Sequence, residues 1–213
     1  MRQSIATAVL TLATLASASP LAAQTVAAPA PAAKAAPAAV TPTGTPPAPR
    51  ARVSPHETIS AVLGGRGGPR VTLTYGRPYS KDSKTGELRK IWGGLVPWGK
   101  ADRLGADEAT LLLMPLPMVI GETTVPAGAY TLYIVPSEAG ATKLAFSSNI
   151  GKWGIPVDEA HDVARVDLKK SSLEKSVDQL TLTFESDAAT GGGTLHIWWE
   201  TTKLSMPFTL KKG

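Results

Sequence analysis

From Val53 onward, polar and apolar positions alternate with period two in run after run, the signature of strands with one face buried. His56–Leu63 and Arg70–Tyr75 read as two strands joined through Gly64–Gly68. In the second, Val71, Leu73 and Tyr75 fall on one face and Thr72 and Thr74 on the other. Ala109–Met114 is an unbroken apolar run short enough for a central strand. Met118–Ile120 and Thr123–Val125 flank Gly121-Glu122 as a tight hairpin, and Ala129–Val135 with Thr142–Ser147 make a further pair. Val163–Leu168, Gln179–Glu185, Thr194–Glu200 and Lys203–Leu210 complete the chain. Helical spacing is weak; Asp158–Ala164 and Ser171–Val177 could each form a turn or two. Nine to ten short strands with closely spaced turns predict an all-β domain, an antiparallel β-sandwich or a barrel.

The first fifty residues follow a different pattern. Arg2, the apolar run Ile5–Ala16, Pro20 and the small residues after it match a secretory signal peptide over Met1–Ala23. The apolar run is shorter than the roughly 20 residues a membrane span needs, so cleavage is expected and no transmembrane segment after it. Residues 24–52 are dominated by Ala, Pro, Val and Thr, with prolines at 29, 31, 37, 42, 46, 47 and 49. This composition predicts an extended linker with polyproline character, leaving residues 53–213 as the single folded domain. The protein is therefore expected to be exported, to the periplasm or beyond the cell.

Charge and cysteine content remove several functional classes. The formal charge is +5, but four of the 22 Lys and Arg residues precede Val53 and none of the 17 acidic residues does. The domain thus holds 18 basic against 17 acidic side chains, and nucleic acid is not an expected partner. With no cysteine, disulfides and thiolate metal sites are excluded. His56, His161 and His196 lack any ligand spacing, so no metal or cofactor is expected. The glycine runs do not open a helix and lack the lysine-serine tail of a phosphate loop, and no serine stands in a hydrolase elbow.

The stretch Ile91–Thr110 carries the candidate chemistry, with two tryptophans, four glycines and the charged residues Lys100, Asp102, Arg103, Asp107 and Glu108. Two arginines, Arg77 after the Tyr75 strand end and Arg103, could pair with Asp107 or Glu108. Such pairs would fasten the connection to the strand end, or the same groups could clamp an anionic or sugar ligand. Trp92, Trp98 and Trp153 are expected as plugs sealing the connection to the sheet. Leu195, Ile197 and Trp199 form a core face; His196, Trp198 and Glu200 on the opposite face would make either a packed layer or a sugar-stacking surface.

Several blocks resemble one known family. They are Ser54–Thr58, Val71–Tyr79, Ile91–Gly99 with Arg103–Thr110, Val125–Tyr133, Trp153-Gly154, Asp162–Val166, Leu180–Phe184 and Trp199-Glu200. In this order they are similar to a bacterial exported-protein family catalogued as domain of unknown function 2911. Two departures stand out: Asp102 occupies a place where the family commonly has tryptophan, and the Lys81–Leu88 loop is longer. The resemblance implies no activity. The residues predict a ligand-binding or interaction module of the periplasm or envelope, with Tyr75, Arg77, Trp98, Arg103, Asp107, Glu108 and His56 as candidate ligand contacts. Its partner would be a small molecule, a glycan or an envelope protein. The alternatives are a hydrolase or isomerase using Asp107 and Glu108 with Arg103 and His56, or a structural protein without a small ligand.

Overall fold

The computed structural model of the protein describes residues 52–211. The expected leader, and all of the expected linker except Arg52, lie outside the described residues. Eleven strands form two antiparallel sheets that face each other without closing, which settles the sandwich against the barrel.

The larger sheet combines sequential neighbours with pairings across longer connections. β1 (His56–Val62) pairs with β2 (Arg70–Gly76) over its full length through the glycine-rich turn. β2 pairs with β4 (Thr110–Met114), and β4 with β7 (Gly128–Val135). β8 (Lys143–Ser147) and β9 (Asp162–Asp167) extend the sheet on the far side of β7. A two-residue strand, β3 (Asp102–Arg103), also pairs with β7, by Asp102 to Ile134 and Arg103 to Tyr133. The smaller sheet runs β10 (Lys169–Asp187), β11 (Gly192–Leu210), β5 (Met118–Ile120), β6 (Thr123–Val125).

Three expectations need correction. The strands number eleven, because β3 is too short for any period to reveal. The two final predicted strands are one, since Glu200 adopts φ 52° and absorbs an irregularity that would otherwise end the strand. Ser171–Val177 is strand, not helix: it lies in the bulged part of β10, where the five-residue step from Ser172 to Val177 faces the two-residue step from Thr202 to Glu200. The bulges supply the interrupted polarity that imitates a helical turn. At Asp158–Ala164, a single 3-10 turn forms at Glu159–His161 under an Asp158 cap, and the rest belongs to β9.

The inner faces meet in one continuous core. Val71, Leu73 and Tyr75 of β2, Leu112 of β4, Leu132 of β7 and Phe146 of β8 are buried against Leu182, Leu195, Ile197, Trp199 and Met206 of the long hairpin. Each such side chain contributes about 1.5–3 kcal/mol on burial, which makes this interface the main source of stability.

Candidate functional site

The connection from β2 to β4 is held down by three buried side chains, Ile91, Val96 and Leu104, and by tryptophan contacts. Trp92 stacks on Trp98 at 6.4 Å between ring centroids and meets the edge of Trp199 at 6.4 Å. Gly105 and Gly76 make the closest approach of this connection to the sheet. A Cβ on Gly76 would strike the Ala106 carbonyl, and Gly105 holds φ 140° with its own Cβ position 3.0 Å from the Gly76 oxygen. Ala106 N–H donates to that oxygen at 3.3 Å.

A second segment rises opposite. Leu180 N–H donates to Pro78 O at 2.9 Å and Ser80 N–H to Asp178 O at 2.6 Å, stitching Pro78–Ser80 to β10. The polar loop that follows closes with a bridge between Lys81 and Leu88, and the Asp82 carboxylate accepts from the Lys84 and Thr85 amides. Between this loop and the Asp102–Asp107 segment lies a cavity of about 320 Å³, lined among others by Tyr79, Arg89, Asp102, Arg103, Asp107 and Trp199. Val53 and Ser54 border it at the start of the domain.

Polar groups around this cavity are incompletely matched. The Asp102 carboxylate forms no hydrogen bond or salt bridge among the described residues, and burial pushes it up to about 6 against the opposing pull of Arg103. Arg89 donates to the Tyr79 carbonyl, yet its Nε is buried without a partner, as is the indole N–H of Trp199. Buried donors in this condition are rare in native structures and call for an explanation. Arg103 donates to the carbonyls of Asp107 and Trp153, the latter at 3.1 Å, and lies 5.6 Å from the Trp153 ring centroid. Burial lowers its pKa, partly offset by Asp107 and Asp102.

The candidate residues separate into distinct places. Arg103 and Asp107 line the cavity. His56 Nε2 sits 3.2 Å from Asp107 Oδ2 and 3.5 Å from Glu108 Oε2, and Glu108 is paired with Arg52, which holds its carboxyl down at about 2. The expected pairing of Arg77 or Arg103 with these two carboxylates does not occur. Asp107 has φ 62°, a turn that presents its backbone oxygen, not its carboxylate, to Arg103. Arg77 points the other way, donating to Leu180 O at 3.2 Å and Thr181 Oγ1 at 2.9 Å, with Glu57 at 3.4 Å. Tyr75 is a core residue whose hydroxyl bonds Glu57 at 2.8 Å and accepts from Leu182 N–H at 2.9 Å; burial raises its pKa. Trp98 packs on Trp92 under the Lys170 ammonium. Trp153 is no plug: it is 55% exposed, because its loop is anchored by backbone bonds and leaves the ring outside.

Sequence reasoning did not single out Arg89, Tyr79 or Trp199 as site residues. Trp199 reads as core, which it also is; Arg89 and Tyr79 sit at the ends of a polar loop and carry no periodic signal. His196 and Trp198 pack as a layer, with His196 bonded to Ser205 at 2.9 Å and Glu185 at 3.0 Å. Among the described residues, no group of three or more His, Asp or Glu side chains is arranged to hold a metal ion.

Fold and site together define an all-β, two-sheet domain with a mixed-charge cavity beside its longest connection. The chain belongs to the family described as Protein of unknown function (DUF2911), whose model matches residues 54–208. No curated protein and no solved structure matches it.

Proposed function

We propose that the protein is an exported ligand-binding module of the periplasm or cell envelope, and that the cavity between Tyr79–Arg89 and Asp102–Asp107 receives its ligand. The ligand is a small polar molecule bearing both a donor group and an anionic group, as a short peptide or an amino sugar acid does. One observation carries this reading: the Asp102 carboxylate, its pKa raised by burial and without a hydrogen-bond partner among the described residues, stands at a cavity that Arg89, Arg103 and Trp199 also line. A donor on the ligand would satisfy Asp102, and an anion would meet Arg89 and Arg103. The half-exposed Tyr79 ring adds an apolar contact of the sort that small-molecule sites use. Export is supported by the leader-like Met1–Ala23 and the proline-rich stretch after it.

A thermal-shift screen with cell-wall peptides and sugars tests the proposal. At least one peptide or amino sugar acid is expected to raise the melting temperature, and Arg89→Ala to abolish the rise. A flat response to the whole set would remove the binding module as the leading function.

A second reading is supported by Asp102 alone. A carboxyl titrating near 6 beside an arginine suits general acid–base catalysis. Asp107 lines the same cavity with its carboxylate 3.2 Å from His56 Nε2, while Glu108 is paired with Arg52. Turnover of a ligand found in the screen, with a rate that collapses in Asp102→Asn, would move the protein to this class.

A further inference from the structure

A second cavity, of about 260 Å³, opens on the other side of Arg103, and Thr131, Ser147, Asn149, Lys152, Trp153 and Pro156 are among the residues lining it. Its size suits a single ring, being below the usual span for larger ligands. The wall that carries Trp153 is fixed. Ala109 N–H donates to Lys152 O at 3.0 Å, Arg103 donates to Trp153 O at 3.1 Å, and Gly154 lies so near Ala109 that a Cβ there would come within 3.0 Å of the alanine methyl. The indole is thus exposed yet held in place, with the Arg103 guanidinium 5.6 Å from its centroid. A large aromatic kept outside by a rigid loop at the mouth of a cavity is a stacking platform.

Two cations stand beside this platform. Lys152 and Arg103 form no salt bridge among the described residues, and Arg103 uses only Nη1 in its hydrogen bonds. The Asp158 carboxylate also lines the cavity, bonded to His161 at 2.9 Å and Asn149 at 3.3 Å. Thr131 and Ser147 offer hydroxyls at the cavity wall, the first donating to Asn149 O at 2.9 Å and the second accepting from Asn149 N–H at 3.3 Å, each with capacity left over.

We infer that this cavity binds a single six-membered ring carrying a carboxylate, the ring on Trp153 and the carboxylate between Lys152 and the unused nitrogens of Arg103. The same chemistry is found in an acidic sugar and in an aromatic acid. The site shares Arg103 with the Asp102 cavity, but Lys152 and Trp153 line this cavity and not that one, so binding here is read separately from the function proposed above.

The test follows the indole N–H signals of the five tryptophans in the full chain, labelled with nitrogen-15, as glucuronate, benzoate, glucose and acetate are added in turn. Trp153→Phe identifies the reporting signal, and the remaining indole signals show that the fold persists. A shift of the Trp153 signal by glucuronate or benzoate is expected, with glucose and acetate silent; which acid acts decides between the two sources. Lys152→Ala should weaken that response about tenfold, the loss of one charge-assisted contact. No response to either acid, an equal response to glucose or acetate, or no effect of Lys152→Ala would overturn the inference.

Discussion

Asp102 shows how a single carboxylate can mark a site. Its pKa is raised to about 6 because burial disfavours the charged form. The folded state therefore holds its proton more tightly than the unfolded chain. The resulting penalty is absent below the unfolded value of 3.8 and fully present above about 6. Asp102→Asn should accordingly stabilise the protein by about 1–2 kcal/mol at pH 7, after allowance for screening at a half-buried group, and leave stability near pH 3.5 unchanged. Urea melts at the two pH values check this. Glu108 behaves oppositely. Arg52 holds its carboxyl down to about 2, so its stabilisation exists above the ordinary carboxylate range and is lost as pH falls through that range towards 2. In Arg52→Ala, Glu108 should titrate near the ordinary value of 4.5, read directly from its carboxyl carbon-13 shift. Neither behaviour was legible in the sequence. Asp102 could be marked there only as a departure from the family pattern. Its burial arises in the fold, where it pairs with Ile134 of β7, thirty-two positions away, and lines a cavity with Ile155.

At the scale of elements, the alternating pattern located ten of the eleven strands, and the error at the chain's end has a clear cause. Period two identifies a strand only while its register holds, and the bulges around Val177 and Glu200 break that register without breaking the strand. β3 pairs through two residues only, so no window of sequence contains it. The fastening of the connection follows the expectation for Trp92 and Trp98 but not the expected arginine–carboxylate pairs. It depends on apolar side chains, the Trp92–Trp98 stack and the Gly76–Ala106 contact, whereas Arg77 joins β10 and Arg103 bonds the backbone carbonyls of Asp107 and Trp153. Gly76→Ala should therefore cost about 1–3 kcal/mol through collision with the Ala106 carbonyl. Arg77 joins the end of β2 to β10 through Leu180 and Thr181. Arg77→Ala should lower stability by about 1–3 kcal/mol while leaving any ligand-induced melting shift intact, a separation that calorimetric scans with and without ligand would display.

Across the whole molecule, the two sheets bury their apolar faces in one core, and the candidate chemistry gathers on the loops and the short β3 at their rim. Among the described residues, no helix is long and apolar enough to cross a membrane. The near-neutral domain carries its charges locally: Arg52, His56, Asp107 and Glu108 lie together, whereas the Asp102 carboxylate has no partner among the described residues and the Arg89 guanidinium bonds only the Tyr79 carbonyl, both beside a cavity. That contrast is the centre of the account. It is tested most directly by amide chemical-shift mapping of the full chain against the peptide or amino sugar acid that raises its melting temperature most. The account predicts shifts concentrated at Tyr79, Arg89 and Asp102–Asp107, and their loss in Arg89→Ala while the rest of the spectrum is retained. Shifts confined to other surfaces, or unchanged binding in Arg89→Ala, would contradict it.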